Sequence, residues 1–384
     1  MLRSIVPTSA VACVLVGGLA APTSAAPPLV VEPTPARAAT FNGDVRALAV
    51  LGNTVYVGGT FTRATDARGT VKRKHVAALD ATTGQLLRWN PGADGAVDAI
   101  AATRSRVYLG GEFEHVARGV ARRHLAAVQR GPRGRVVRSW RLDADRYVRS
   151  LAATTRGLYV GGGFTSLGGV PRQRLALVRR DGSLSRAWTP GADDTVRALA
   201  VTRRRVYVGG VFRRLNGVAQ ARNLAALAPR SGQLLRGFHP RVRIPVNGVG
   251  VSDSVVYAAA DGPGGHLRAY GPKGRQLMDI TTDGAVNDLA VMDGTVYFGG
   301  HFDHVCTAAS VVPGGGCVED RADRGKLAAI SLNGRLRAWN PDANSLVGAL
   351  ALRASAGRVF AGGGWTTLNG GRVDRPHFAR FVRP

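Results

Sequence analysis

One short phrase recurs along the chain and constrains its fold more than any other feature. It ends in a glycine doublet and first occurs as Val-Tyr-Val-Gly-Gly-Thr-Phe at residues 55–61. Related runs lie at residues 107–113, 158–162, 206–212, 296–302 and 359–363. A unit that returns every 40 to 60 residues or so cannot bury its apolar faces alone and packs on its neighbours. Because the repeats span nearly the whole chain, the sequence predicts one repeat domain.

A second phrase opens each repeat and gives the number of repeats. It begins with a valine, as in the run VRALA at residues 45–49, and occurs seven times, at Val45, Val97, Val148, Val196, Val246, Val286 and Val347. Within a repeat, four short apolar runs alternate with Gly, Asn, Asp and Arg turns, as in a four-stranded unit. A ring of such units leaves few exposed strand edges. The predicted fold is therefore an all-β, seven-bladed β-propeller of four-stranded antiparallel blades.

The two ends of the chain suggest how the ring closes. The last repeat stops after its third run, which ends near Phe381, so its fourth run is missing. Residues 41–44, ahead of the first repeat, resemble the end of a fourth run such as Trp89-Asn90-Pro91. We therefore expect an N-terminal strand near residues 29–41 to complete the last blade. Residues 27–40 form the leader and closing strand, and residues 41–384 form the propeller.

The first 26 residues have the pattern of a secretory signal peptide. Arg3 precedes an apolar run from Ile5 to Leu19, and small residues lead to a predicted cleavage site near Ala26. Pro7 and Gly17-Gly18 interrupt this run, which is shorter than the ~20 residues of a membrane span, so no transmembrane segment is predicted. The predicted location is secreted, or on the exterior of the cell envelope.

Two repeats depart from the pattern. In repeat five, Ala259-Ala260 replaces the glycine doublet and Ile280 stands where other repeats have Trp or Phe, so this blade is either degenerate or specialised. Repeat six carries an insert at residues 303–324 that contains Cys306 and Cys317. These are the two cysteines that remain after removal of the signal, and an exported protein favours their pairing as a disulfide.

The chain is strongly basic, and this favours anionic partners. Its formal charge is +27, and removal of the signal with Arg3 leaves 27 − 1 = +26. An exported protein of this charge is attracted to polyanions such as a cell-wall phosphate polymer or an acidic glycan, without sequence-specific recognition of nucleic acid. A protein partner is the other expectation, and the chain is predicted to be a monomer.

Alignment of the repeats reveals two columns of charged residues in loops at one mouth of the predicted channel. The acidic column lies three residues before the opening valines and includes Asp94, Asp145, Asp193 and Asp283. The basic column follows the second run and includes Arg123, Arg172, Arg222, Arg324 and Arg375. Both are candidate binding residues. The structural alternative, in which the aspartates cap turns and the arginines pair with them between blades, is favoured because residues that recur in every repeat usually serve the repeat.

Motifs for catalysis or metal binding are missing from the sequence. It lacks a Gly-x-Ser-x-Gly elbow, an HExxH pair, a Walker loop and paired-cysteine zinc spacing. His301 and Asp303 share a strand face from which His304 points away, so three converging ligands are not expected. No catalytic residue, metal or cofactor is predicted. An extracellular glycan-active hydrolase or lyase that uses channel-mouth aspartates is the enzymatic alternative, and an envelope protein without a ligand is the structural one.

The phrases VYVGGTF and HVAALDATTGQLLRWNPGADG, followed by VDAI, resemble secreted bacterial β-propellers built of delta-60-type repeats. That family is common in actinobacteria and its function is unknown. The resemblance covers about 340 residues, at residues 41–384. It implies the propeller fold and supplies no catalytic residue. The glycine doublet with a distant Trp is also similar to kelch repeats, although the tyrosine expected shortly before the Trp is missing.

Overall fold

The computed structural model describes residues 30–306, 317 and 321–384. The predicted signal peptide at residues 1–26 and most of the insert in repeat six lie outside these residues. The described chain is all-β with antiparallel sheets, and its one helical element is the 3-10 turn Ala219–Ala221. Among the described residues, no helix has the length and apolar character needed to cross a membrane.

Each repeat contributes an antiparallel meander of three strands, and the described part of the chain contains seven of them. In chain order, the first, second and third strands are Val45–Leu51, Thr54–Gly59 and Val76–Asp80; Val97–Ala102, Arg106–Gly111 and Leu125–Gln129; Val148–Ala153, Gly157–Gly162 and Leu175–Arg179; Val196–Val201, Val206–Gly210 and Leu224–Leu227; Val246–Ser252, Val255–Gly262 and Gly264–Tyr270; Val286–Met292, Thr295–Gly300 and Leu327–Ser331; and Ala349–Ser355, Arg358–Gly363 and Phe378–Val382.

Short hairpins occupy the loops between second and third strands. Their strands are Arg63–Asp66 with Gly69–Lys72, His115–Val116 with Val120–Ala121, Ser166–Leu167 with Val170–Pro171, His304–Cys306 with Arg321–Asp323, and Thr367–Leu368 with Val373–Asp374. The N-terminal strand Thr40–Phe41 pairs with the first of these hairpins.

The predicted fourth strand is regular only in repeat five, where Gln276–Thr282 pairs with Gly264–Tyr270. In five other repeats the fourth segment joins the third strand through an isolated bridge, such as Leu79 with Leu86. The prediction of four regular strands per repeat is wrong at this edge. Leu86 and Trp89 are both buried but lie three residues apart, and this spacing does not fit the two-residue period of a strand. Repeat five, which the sequence marks as degenerate or specialised, has the most regular sheet.

The first strands lie side by side in chain order. The first strand of repeat one also contacts the first strand of repeat seven, so the contacts between first strands return to their start. Apolar clusters fill the space between consecutive repeats. One of them joins Tyr56 and Trp89 of repeat one to Val107 and Leu109 of repeat two.

The glycine doublet lies at the contact between consecutive repeats. A methyl group on Gly58 would come within 2.7 Å of Cγ1 of Val97, and one on Gly110 within 2.6 Å of Cγ1 of Val148. Val97 and Val148 are the opening valines of the following repeats, so the first glycine of a doublet admits the valine of its neighbour. Gly362 in repeat seven meets Val45 of repeat one in the same way.

Aromatic side chains fasten the outer parts of consecutive repeats. In five repeats the tyrosine of the second strand packs on the Trp or Phe of the fourth segment, with ring centroids 5.1 to 5.4 Å apart. The indole Nε1 of Trp89 donates to the carbonyl of Gln129, and that of Trp188 donates to the carbonyl of Ala228. Both acceptors belong to the following repeat. Each tryptophan therefore satisfies its donor across the contact that it fills.

The N-terminal segment lies against the last strand of the chain. The amide of Glu32 donates to the carbonyl of Val382, and the amide of Ala36 donates to that of Arg380, both at 2.8 Å. Trp339 of repeat six donates its Nε1 to the carbonyl of Glu32 at 3.3 Å, the bond that other tryptophans make with the following repeat. Val31 in this segment is buried.

Cys306 and Cys317 lie at disulfide-bonding distance, as the sequence predicts, with Cα atoms 5.3 Å apart. Cys306 ends the strand His304–Cys306, which extends the four-stranded sheet of repeat five through the pair Thr282 and Val305. The insert of repeat six is thus connected to the sheet of repeat five.

Replacement of Gly110 by Ala tests the glycine contact. The added methyl group overlaps Val148, so we expect the free energy of unfolding to fall by about 1–3 kcal/mol. Val148→Ala removes the overlapping Cγ1 atom. In the double variant, we therefore expect the two effects to couple by about 1–2 kcal/mol in chemical denaturation.

Gly131→Ala is the matched control, because no atom of the described residues lies within 4 Å of a methyl group at that position. Its free energy of unfolding should stay within about 0.5 kcal/mol of the parent protein. Strictly additive effects of Gly110→Ala and Val148→Ala would contradict the proposed contact.

Candidate functional site

Every first strand contains a β-bulge near its start. The pairing register between first and second strands shifts between Val45 and Ala47 in repeat one, and at the corresponding place in the six other repeats. A bulge leaves one residue unpaired and redirects its side chain. The seven bulge residues, which we call the bulge ring, are Arg46, Asp98, Arg149, Arg197, Asn247, Asn287 and Leu350.

The seventh repeat begins later than its sequence suggests. Ala349 pairs with Gly363 as Val45 pairs with Gly59, so Ala349, two residues after Val347, is the structural equivalent of the opening valines. Leu350 therefore occupies the bulge. The segment from Trp339 to Ala349 is two residues longer than the equivalent segment from Trp89 to Val97. Val347 stands at the usual distance from the tryptophan, so the sequence alone does not show that the strand begins two residues later.

The bulge ring surrounds one end of a central cavity. All seven of its side chains line a mouth cavity of about 480 Å³, together with Tyr147, Thr195 and Val347. The cavity of about 450 Å³ below it is lined by the first strands of all seven repeats, with Arg353 and Asp288 among its polar groups. The first-strand contacts and the bulges thus create a polar channel mouth.

Asp98 is the most deeply buried charged group of the bulge ring, with only 4% of its side chain exposed. Its carboxylate lies between two arginines. Oδ2 is 2.9 Å from Nη1 of Arg149, and Oδ1 is 3.5 Å from Nη1 of Arg46. Burial raises the pKa of Asp98, and the attraction of Arg149 and Arg46 offsets only part of that rise. Burial of an ionised carboxylate in the channel disfavours folding, so Asp98 is a candidate functional group.

Further contacts connect the bulge ring. Arg197 donates from Nη1 to Oδ1 of Asn247 at 2.7 Å, and Nδ2 of Asn247 donates to the carbonyl of Val286 at 3.1 Å. Nδ2 of Asn287 donates in the same way to the carbonyl of Ala349 at 2.9 Å. Each asparagine therefore bonds the residue before the next bulge, and the ring is held in place by its own side chains.

The predicted acidic column caps turns. Oδ1 of Asp94 accepts hydrogen bonds from the amides of Glu114 and His115 at 2.9 Å, and its Oδ2 lies 2.7 Å from Nδ1 of His115. The other aspartates of the column accept equivalent pairs of amide hydrogen bonds, and they are Asp145, Asp193 and Asp283. Burial acts to raise the pKa of Asp94, but the hydrogen bonds from His115 and Glu114 outweigh it and leave that pKa lowered.

The predicted basic column makes main-chain contacts within its own repeats. Arg172 donates to the carbonyls of Pro171 and Ser185, and Arg324 to those of Asp323 and Arg337. In repeat two the equivalent bonds are made by Arg122, and Arg123 lies exposed beside it. Arg222 and Arg375 have buried Nε atoms without a hydrogen-bond partner among the described residues.

The expected ion pairs between these two columns are not formed in the part of the chain that the structure describes. Arg172 and Arg324 instead connect the hairpin loops of repeats three and six to the fourth segments of the same repeats. A binding role for these columns stays a prediction, and the structure brings other residues, those of the bulge ring, together at the channel.

Repeats one and two together form a second polar feature. Two adjoining cavities of about 640 and 820 Å³ share Asn90, Pro91 and Arg118. We call them the basic groove. Its exposed cationic side chains are Lys72, Lys74, Arg88, Arg118, Arg133, Arg135 and Arg138. None of these seven forms an ion pair with another described residue, and the one carboxylate lining the groove, Asp94, is already bonded to His115.

Comparison with solved structures identifies the fold. The chain superposes on the WD40 β-propeller domain of Doa1 with a TM-score of 0.56 at 9% sequence identity, covering 91% of this chain and 97% of that one. The fold is that of a β-propeller. The computationally designed Ika8 protein is also similar, with a TM-score of 0.52 and 15% identity over 89% of this chain and 98% of that one. No family model and no curated protein matches the sequence.

Replacement of Asp98 by Asn tests whether the ionised carboxylate lowers the stability of the fold. Because its pKa is raised in the folded state, ionised Asp98 destabilises the fold at pH values above that pKa. Asp98→Asn should therefore raise the denaturation midpoint at pH 7. As the pH falls from the folded-state pKa to the unfolded-state pKa, the parent carboxyl becomes protonated and the difference should vanish.

Asp253→Asn, at an exposed turn, is the control and should leave the midpoint unchanged at both ends of this pH range. A large loss of stability in Asp98→Asn at pH 7 would mean that Asp98 stabilises the fold through its arginines, and would contradict the expectation.

Proposed function

We propose that this protein is a secreted binding protein whose basic groove holds a linear polyanion, such as a cell-wall phosphate polymer or an acidic glycan. The observation that carries the proposal is the groove itself. Among the described residues, seven exposed cations line it, and the single carboxylate, that of Asp94, is bonded to His115. Two adjoining cavities form an extended site, and an extended site suits a chain of anionic units better than a compact ligand.

The composition of the groove supports recognition by charge. Five of its seven cations are arginines, whose planar guanidinium groups bind phosphate and carboxylate in a fork. Neutralisation of several anionic units releases counterions, so binding of this kind weakens steeply with salt. Export of the protein is part of the proposal. It rests on the signal-like residues 1–26 and on the cysteine pair, since disulfides persist in oxidising compartments.

We further propose that the seven meanders are the blades of a closed propeller, related to the delta-60-type repeat proteins, and that the N-terminal segment completes the last blade. Two observations support closure. Gly362 of repeat seven meets Val45 of repeat one, as other doublets meet the next valine. Glu32 and Ala36 bond the last strand, and Trp339 bonds Glu32. A closed ring presents the basic groove on a rigid support and favours a monomer.

The alternatives have less support. A hydrolase that uses channel-mouth aspartates requires carboxylates free to act, but in each of Asp94, Asp145, Asp193 and Asp283 one oxygen accepts two amide hydrogen bonds. A protein partner is favoured by the exposed side chains of Leu346 and Val347 beside the channel mouth. This apolar feature consists of two residues, and the groove is far larger.

The triple variant Arg118→Gln, Arg133→Gln, Arg135→Gln tests the groove. We expect its affinity for immobilised long-chain polyphosphate to be at least tenfold lower at 50 mM salt, measured by biolayer interferometry. The slope of log affinity against log salt should also become shallower by about 2, if each lost contact contributes ~0.7 as in single-stranded nucleic acids.

A second triple variant, Arg203→Gln, Arg204→Gln, Arg236→Gln, removes the same number of charges from exposed positions of repeat four. It should retain most of the affinity. Equal losses in the two variants would show that net charge alone attracts the polymer, and binding of polyphosphate by neither the parent protein nor the control would overturn the proposed function.

A further inference from the structure

We infer that the channel mouth is a separate site for a small organic monocarboxylate, held by Arg197 at its anionic end and by Leu350 and Val347 at its apolar end. The site lies in the mouth cavity of about 480 Å³ and shares no lining residue with the basic groove. It therefore does not depend on the proposed binding of a polyanion.

Arg197 is the one cation of the bulge ring without a carboxylate partner among the described residues. Arg46 lies 3.7 Å from Asp44 and 3.5 Å from Asp98. Arg149 pairs with Asp98 at 2.9 Å and with Glu112 at 2.8 Å. The side chain of Arg197 makes one hydrogen bond in the described structure, from Nη1 to Asn247, so Nε and Nη2 remain as donors. One uncompensated guanidinium suits a single carboxylate bound through a fork of two hydrogen bonds.

The position of Arg197 is fixed by its neighbours. Asn247 is itself anchored to the carbonyl of Val286, so the bond from Arg197 fixes one edge of the guanidinium. Tyr147 and Thr195 line the mouth next to it, with their hydroxyl oxygens 3.1 Å apart. The guanidinium of Arg149 lies over the Tyr147 ring, 4.9 Å from its centroid. Arg197 thus offers a carboxylate a pre-organised donor in a mouth that also contains two hydroxyl groups.

Asp98 supplies the second indication that the mouth is built for a ligand. Its side chain is more than nine-tenths buried and lines the cavity, and neither of its oxygens has a well-aligned hydrogen bond within the described residues. Together with Asp44 and Glu112, it compensates the charges of Arg46 and Arg149 on one side of the ring. The anionic end of a ligand is therefore directed toward Arg197, away from Asp98.

The difference between Leu350 and the other bulge residues indicates where the apolar end of the ligand binds. Six bulge residues are polar or charged, and the seventh is Leu350 in repeat seven. Repeats four and seven are three places apart in the order of first strands, so Leu350 and Val347 lie across the mouth from Arg197. Val347 is 46% exposed, and an apolar body would cover it. A ligand with one carboxylate and one apolar end satisfies both sides of this mouth.

Titration calorimetry of the full mature chain with sodium benzoate tests the inference, with benzamide, acetate and inorganic phosphate as comparators. We expect saturable 1:1 binding of benzoate, at least tenfold weaker binding of acetate, and none of benzamide, which lacks the charge. Arg197→Gln should weaken benzoate binding at least tenfold, and Leu350→Ser at least threefold. Arg203→Gln, an exposed arginine of the same repeat, should leave it unchanged.

Other outcomes overturn the inference. Absence of saturable benzoate binding up to tens of millimolar would remove the site, and equal affinities for benzoate and phosphate would remove its apolar half. Retained binding in Arg197→Gln, with thermal denaturation showing that the variant is folded, would place the anion elsewhere. The basic-groove triple variant should bind benzoate normally, and Arg197→Gln should bind polyphosphate normally, so the two proposals fail separately.

Discussion

In repeats one to four and in repeat seven, the first glycine of the doublet contacts the opening valine of the next repeat, and the fold depends on this contact. A methyl group on Gly58, Gly110, Gly161 or Gly209 would overlap that valine at 2.6 to 2.7 Å, so glycine lets these four sheets approach the next repeat this closely. Repeat five packs on repeat six with Ala259 and Ala260 in place of the doublet. The approach brings seven first strands around one channel. It also buries tyrosine and tryptophan pairs in the outer part of four of the contacts, as in Tyr56 and Trp89.

The same packing creates a place where the repeats can differ. The bulge residue, which follows Ala349 in repeat seven and the opening valine in the other six, is displaced into the channel mouth. It lies outside the apolar contact between the sheets and is therefore free to vary. This position is Arg, Asp, Arg, Arg, Asn, Asn and Leu around the ring. Repeated residues therefore maintain the scaffold, and the variable bulge position gives the mouth its chemistry. Arg197 and the buried Asp98 acquire their character from ring neighbours that belong to other repeats.

Much of the fold could be predicted from the sequence, because strand period and repeat phrases are local signals. The phrase that begins at Val55 predicts a second strand, and Cys306 with Cys317 predicts the pair that the structure brings to bonding distance. The bulge ring could not be predicted, because a residue beside a buried valine in a regular strand faces away from it, and only the register shift between Val45 and Ala47 redirects Arg46. The turn-capping role of Asp94 is predicted from the sequence, because aspartate recurs at this position in several repeats. One sequence signal points to Arg197: the residue after the opening valine varies between repeats, whereas the residues on either side of it recur.

Closure of the ring through its two ends is tested most directly by a double-mutant cycle on Val45 and Gly362, which lie at opposite ends of the sequence. Gly362→Ala, Val45→Ala and the double variant are compared by chemical denaturation at equilibrium. If the last doublet receives the first valine, Gly362→Ala should be destabilising when Val45 is present and less so when it is Ala, with a coupling of about 1–2 kcal/mol. Additive effects of the two substitutions would mean that repeat one does not pack on repeat seven, and would contradict a closed ring.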